Sequence, residues 1–375
     1  MVKCSYKGSG KMKKKKIDKN KVIGILLLLI AVSAIIFVLI FYLSPKEKPK
    51  KEKKPEIVEK KKLQIVDEDS NERPIAVMID NNIGEGRHAG LQDSYINYEI
   101  IVEGGLTRIM AIFKDKDVSL IGPVRSSRHY FLDYALESDA IYAHYGWSTY
   151  AQNDIRSLNV NNINGLYDEQ PFWRDTSIAA PHNVFTSTDK LYAYAKQKNY
   201  SLTTNSWKLL NYNPEEINLN DPISTIEQVN PETGEMEKVP VTREGLITAN
   251  SVVIPYSYYQ SRSYTYDTNR KVYLRFMNDA PHIDKTTGEQ LHYKNIIIEQ
   301  VRNYQLDVEG RQDLDTTGSG TGYYITNGYA LPIHWTKSSR SAKTIYKYLD
   351  GSEIEINDGN TFIQVMPTTY NPTIS

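Results

Sequence analysis

The stretch VIGILLLLIAVSAIIFVLIFYLS at 22–44 runs for 23 residues without a charge. At about 1.5 Å of rise per residue, a helix of that length crosses the roughly 30 Å hydrocarbon core of a bilayer with some tilt. The alternative is a buried helix of a soluble protein, but such helices rarely lack a polar face altogether. A cleaved signal peptide fits less well, because the run is long and no small-x-small site follows it. Lipid attachment also fits poorly, since the only cysteine, Cys4, precedes the run. The expected partner of 22–44 is therefore the membrane.

Charge on either side bears on orientation. Residues 1–21 carry nine lysines against Asp18, and residues 45–62 carry nine lysines against four glutamates. Counted alone, these numbers nearly balance the positive-inside rule. The lysines at 11–21 crowd the membrane edge, whereas the downstream ones begin after Ser-Pro and are mixed with glutamate. The expected arrangement is a single-pass protein of the cell membrane, with the basic tail 1–21 inside and 45–375 outside. The outer part has no cysteine, which suits export into a space where disulfides do not form. PKEKPKKEKKPEIVEKKK opens a Lys/Glu/Pro spacer over 45–72 that also suits contact with anionic headgroups. Beyond these blocks, 63–375 holds 27 basic and 40 acidic residues. So acidic a surface argues against nucleic acid as a partner.

Globular patterning begins at RPIAVMIDNN (73–82), an apolar run ending in a polar loop. YEIIVEGG (98–105), TRIMAIFKD (107–115), VSLIGPV (118–124) and AIYAHYG (140–146) read as further strands. TSTDKLYAYAKQKNY (186–200) reads as a capped helix. These predict an N-terminal α/β lobe over 73–205. A connecting segment, 206–250, contains VNPETGEMEKVP, a turn or hairpin tip. A β-rich C-terminal lobe over 251–370 follows, with Asn327-Gly328 as a hairpin turn. The expected fold class is mixed α/β, two lobes packed as a layered sandwich after a transmembrane helix.

Several long motifs, RPIAVMIDN, YEIIVEGGLTRIMAIF, IGPVRSSRHYF, AIYAHYGWS and APHN, are similar to those of the YerB-like family. In the second half the resemblance continues through YLRFMNDAPHIDKTTGEQLHYKNIIIEQ, GSGTGYYITNGYALPIHWTK and LDGSEIEINDGNTFIQVMP, covering nearly all of 73–367. These are bacterial envelope proteins, described as lipoproteins, with two domains of unassigned function. The resemblance implies a mixed α/β sandwich-like fold and supplies no activity. The chain departs from that pattern in having an apolar anchor in place of a lipid-modified cysteine. His129 stands where proline is expected, so it is not treated as catalytic. RDTSIAA precedes Pro181 where a further basic residue is expected.

The strongest candidate site is Arg125, Ser126, Ser127 and Arg128 after the Gly-Pro turn. Two guanidiniums and free hydroxyls suit a phosphate or carboxylate. The opposing reading pairs both arginines with Asp133, Glu99 or Glu103. EGGLTR (103–108) places Glu103 and Arg108 around a Gly-Gly turn, as a salt-bridged hairpin or as a third arginine for the same anion. His144, His182 and Asn183 complete the candidate ligand-binding set, the histidines as an acid–base pair with a carboxylate or as loop anchors. No HExxH or cysteine cluster points to a metal, and Asp80-Asn81-Asn82 lacks the further acids a hard cation needs. No cofactor is expected. GSGTG (318–322) precedes a β run, so it reads as a turn or bulge instead of a phosphate loop. Ser126 lies outside any GxSxG elbow. The 28 tyrosines suggest half-exposed rings on a sheet, or a surface for a protein partner on the C-terminal lobe. Three functions stay open: binding an anionic envelope ligand such as a phosphate-linked lipid or polymer, a transferase or hydrolase acting on one, and a protein-interaction module.

Overall fold

One helix, α1 (Lys19–Leu43), is long and apolar enough to cross a membrane, and none of it is buried against protein. The computed structural model describes residues 19–43, 61–82, 84 and 86–375. The chain divides between Glu59 and Lys60 into two units. The spacer residues 45–60 and the tail 1–18 lie outside the described residues.

The second unit is mixed α/β. In its first half come β1 (Ile75–Asp80), β2 (Ile96–Ile101), β3 (Thr107–Phe113), β4 (Ile141–His144) and β5 (Asn162–Asn164), with helices α2 (Phe131–Glu137), α3 (Thr149–Ser157) and α4 (Thr188–Gln197). Every residue of β1, β2 and β3 is buried, which is why their sequences read as continuous apolar runs. A projecting hairpin follows, β6 (Ser224–Val229) and β7 (Met236–Val241). Then come β8 (Ser251–Ser257), β9 (Gln260–Asp267) and β10 (Val272–Met277), antiparallel neighbours in a second sheet. The chain ends with β11 (Asn295–Val301), β12 (Gly318–Thr326), β13 (Tyr329–Lys337) and β14 (Thr361–Pro367).

The principal sheet has eleven strands and runs through both halves of the sequence. Its central order is β13-β12-β11-β14-β2-β3-β1-β4-β5. β14 pairs in parallel with β11 on one side and with β2 on the other. It is buried along its whole length. The Asn327-Gly328 hairpin forms as expected, with both residues at positive φ.

Two local expectations are corrected. VSLIGPV is not a strand; it contributes only isolated bridges, at Ile121, Gly122 and Val124, because Pro123 has no N–H to extend a ladder. GSGTG is not a turn but the start of β12. Its glycines make room, since a Cβ at Gly320 would lie 2.5 Å from the Trp335 indole and one at Gly322 would meet the Ile298 carbonyl oxygen at 1.8 Å. The tyrosines are also not half-exposed for the most part. Tyr95, Tyr98, Tyr134, Tyr256, Tyr264, Tyr273 and others are fully buried, most with the hydroxyl bonded inside.

The core contains charge. Glu99 on β2 is fully buried and faces Arg262 of β9 at 2.6 Å and Arg275 of β10 at 2.5 Å, both also fully buried. Thr107 and Asn81 donate to the same carboxylate at 2.7 Å each. Burial pushes the Glu99 carboxyl up, but Arg262 and Arg275 outweigh it and hold the group below its ordinary value. Removing one member of a buried ion cluster strands its partners. Glu99→Gln should therefore lower unfolding free energy by about 3–5 kcal/mol. Denaturant titration checks this, and a loss below about 1 kcal/mol would remove the cluster's structural role.

A second buried acid behaves oppositely. Glu299 on β11 accepts from the hydroxyls of Tyr134 and Tyr346, each at 2.9 Å. Burial, with nearby Glu137 adding to it, pushes its carboxyl up to about 7. An acid raised on folding contributes stability that is complete below about pH 4.5 and lost as pH rises through about 7. Glu299→Gln should therefore be more stable than the native protein at pH 8, by on the order of 3 kcal/mol. The gap should close below about pH 5; unfolding curves at both pH values test it, and a pH-independent gap contradicts the assignment.

Candidate functional site

The candidate site forms where β1 ends. Asp80, its last residue, stands opposite Arg108 of β3. The strand then meets the segment after the Gly122-Pro123 turn, with the Arg125 amide donating to the Met78 carbonyl at 2.9 Å. The APHN segment closes the same end, because the Val124 amide donates to the Val184 carbonyl at 2.7 Å. Sequence positions near 80, 125 and 182 are thereby brought together.

Asp80 organises this end. Its Oδ2 accepts from His182 Nδ1 at 2.6 Å and pairs with Arg125 Nε at 3.1 Å. Its Oδ1 accepts from the Asn82 amide at 3.1 Å. The Asp80 side chain is only 3% exposed, whereas those of Arg125 and His182 are each 27% exposed. Among the described residues, the terminal nitrogens of Arg125 and Nε2 of His182 have no hydrogen-bond partner. A buried carboxylate thus holds a guanidinium and an imidazole whose free nitrogens remain available.

The other arginines converge but are committed differently from expectation. Glu103 does not pair with Arg108 across its own turn. It takes Arg128, through Nε and through NH2 at 2.8 Å. The Gly-Gly turn bends Glu103 toward that segment, with Gly104 and Gly105 both at positive φ. Arg108 instead donates to the Ser126 carbonyl. Burial, then Arg128, push the Arg108 guanidinium down to about 10, and Arg125 adds to this against Glu103. Of the acids expected to capture the arginines, Glu103 does take Arg128, whereas Asp133 is used by Arg340 and Thr316 and Glu99 by Arg262 and Arg275.

Three expected site residues have structural roles. Ser127 is buried and accepts from the Tyr142 hydroxyl at 2.8 Å. Ser126 donates to the Tyr145 carbonyl at 3.0 Å. His144 is fully buried between the Gly146 carbonyl and the Asn162 side chain, and burial pushes it down to about 4. It therefore does not reach the Asp80 end as a polar group. His129 lies in a separate cavity of about 410 Å³ and bonds Asp313 at 2.9 Å.

Two contributors went unrecognised in the sequence. The sequence points to Asp80 only as a cation ligand, whereas its carboxylate is taken by Arg125 and His182. Arg174 donates to Asn183 Oδ1 at 2.7 Å and to the Tyr145 hydroxyl at 3.2 Å, with its guanidinium 5.1 Å from the Tyr145 ring centre. Arg108, Arg125 and Arg128 thus lie about Asp80 and Glu103, with Arg174 joined through Asn183 and the next residue, Asp175, paired with Lys285. Among the described residues, no group of three or more His, Cys, Asp or Glu side chains is arranged to hold a metal.

The second half of the chain reaches this site through a buried relay. Arg275 donates to His282 Nδ1, His282 Nε2 lies 2.8 Å from His88 Nδ1, and His88 Nε2 lies 2.6 Å from the Asp80 carbonyl oxygen. Arginine can only donate, so both imidazoles must be neutral with the proton on Nε2. Burial agrees, pushing His88 down to about 4 and His282 well below its ordinary value. Both histidines also line a cavity of about 410 Å³.

Comparison with known proteins identifies the family. The profile of the DUF3048 N-terminal domain, a domain of unknown function, matches residues 63–201, and that of the DUF3048 C-terminal domain matches 252–363. "Putative lipoprotein YerB" of Bacillus subtilis (strain 168) is 29% identical over 304 residues, 81% of this chain and 84% of its own length. The crystal structure of the YerB protein from Bacillus subtilis aligns with a TM-score of 0.65 at 28% identity, covering 81% of this chain and 94% of that one. With two adjoining domains matched over more than half its length, the chain belongs to the YerB-like, DUF3048 family of two-domain proteins.

Proposed function

We propose that this membrane-associated protein binds a phosphate-type anion of the cell envelope at the end of β1, between Arg125 and His182. The observation that carries the proposal is Asp80, a buried carboxylate that fixes both groups while leaving their outer nitrogens unbonded. Burial is the main cause of the lowered Arg108, and the positive charges of Arg128 and Arg125 add to it against Glu103. An anion there receives charge-assisted hydrogen bonds from groups already oriented, so little ordering entropy opposes binding. The arginine cluster of the sequence reading thus narrows to Arg125, with His182, Asn183 and Arg174 beside it and Glu103 neutralising Arg128.

The Asp80–His182 bond supports a second reading, hydrolysis or transfer of a phosphate-linked polymer. A carboxylate on Nδ1 orients the ring and leaves Nε2 to take a proton from an attacking hydroxyl. Both readings are tested on one series, the full chain in lipid nanodiscs titrated calorimetrically with inorganic phosphate and pyrophosphate. Arg125→Ala should weaken binding at least about tenfold, the worth of one charged hydrogen bond. No heat from the native protein at millimolar ligand, or binding indifferent to Arg125→Ala, overturns the site. Turnover of a phosphodiester that disappears in His182→Gln while phosphate still binds would establish the enzymatic reading, and its absence leaves binding alone.

We also propose that 45–375 lies outside the cell and 1–21 inside, on the lysine crowding beside α1. Cys4 is the only thiol in the chain, so a membrane-impermeant maleimide should label it only after cells are opened. Labelling of intact cells reverses the orientation.

A further inference from the structure

Contacts link the basic site to an exposed apolar pair of residues after β5. Leu166 and Tyr167 follow β5 and are 50% and 71% exposed. Scattered exposed apolar residues need no explanation; the position of these two is what matters. The Tyr167 ring lies 5.7 Å from that of Trp147, which is only half-buried. Toward the charged side, a Cβ at Gly146 would sit 3.1 Å from Ser126 Oγ and 3.4 Å from Leu166 Cδ1. Ser126 and Leu166 are thus neighbours across one missing side chain.

Tyr145 makes the second connection. A Cβ at Gly165 would lie 2.2 Å from the Tyr145 ring, so that ring rests directly on the backbone just before Leu166. The same ring carries the Arg174 guanidinium, and Arg174 holds Asn183 beside His182. A chain of contacts therefore runs from His182, by way of the buried Asn183, to Arg174 and Tyr145, and on to Leu166, Tyr167 and Trp147. One end offers charge and free donors. The other offers a leucine and two aromatic faces.

Resting on the anion site proposed above, we infer that the ligand is an amphiphile. Its phosphate-type head sits at Arg125 and His182, and an apolar chain lies over Tyr145, Leu166 and Tyr167. Charge complementarity selects the head, and the strip of these three side chains selects the chain. A purely polar phosphate polymer would satisfy the arginines and leave Leu166 and Tyr167 uncovered or facing hydroxyls. An apolar chain in the same place removes both from water. Because the tethered protein carries its own apolar anchor, a ligand drawn from the membrane is at hand without crossing free solution.

The test titrates the full chain in nanodiscs with inorganic, methyl, butyl and hexyl phosphate, using empty nanodiscs as the blank. Affinity should rise about two- to fourfold per methylene while the chain covers the strip. The double variant Leu166→Asn, Tyr167→Asn should bind inorganic phosphate within about twofold of native and lose the chain-length gain, because both side chains are exposed and bear little of the fold. If all four phosphates bind equally, the apolar arm is wrong and the anion site stands. Where none of the four binds, the anion site fails and this inference fails with it. A gain from glucose 1-phosphate equal to that from hexyl phosphate would assign the strip to a sugar and overturn the apolar chain.

Discussion

A single carboxylate carries much of this architecture. Glu99 neutralises two fully buried arginines that come from a different sheet and from more than 160 residues further along the chain. Buried ion clusters are a costly way to gain stability, since well-packed apolar residues often do as well or better. What the cluster provides is uniqueness of arrangement: Arg262 and Arg275 can be accommodated only where β2 presents Glu99. Thr107 and Asn81 complete the carboxylate's hydrogen bonds, so the loop after β1 is drawn into the same network.

From that network the influence of the second half extends to the surface. Arg275 also feeds the His282–His88 relay that ends on the Asp80 carbonyl. Asp80 is therefore fixed from both sides. The relay holds its backbone, and Arg125 and His182 engage its side chain. A site that by sequence belongs to the first family domain is positioned by residues of the second, which gives a physical reason for the two domains to occur together in one chain.

Much of the framework was legible from the residues alone. The anchor, the continuous apolar runs of β1 to β3, and the Asn-Gly hairpin follow from local chemistry that acts over a few residues. Pairing of charges did not follow, because the correct partner is rarely the nearest in sequence. Glu103 passes over Arg108, five positions away, for Arg128, and Asp80 reaches forward to Arg125 and His182. The tyrosines misled for a related reason. Alternation in YSYYQSRSYTYD does mark a sheet with one open face, Tyr258 and Tyr259 being exposed, but it does not reveal that Tyr256, Arg262 and Tyr264 on the other face are fully buried. Their polar tips find partners on β2 and β14 that no local pattern reveals, such as the Glu99 carbonyl and Gln364 for the Tyr256 hydroxyl. The convergence of the arginines was visible as a motif; which of them stays free was not.

The placement of β14 has a consequence for the order of assembly. This strand, at 361–367, is the wedge between β2 and β11, and nothing else in the chain occupies that position. Until residues 361–367 have been made, two buried-type strand edges stand open, and an unpaired apolar edge invites pairing with the wrong chain. The first half can collapse early but cannot be closed early. A chain terminated at residue 360 loses the whole keystone. Quality control is thus written into the topology: only a chain made through Pro367 can hide these edges.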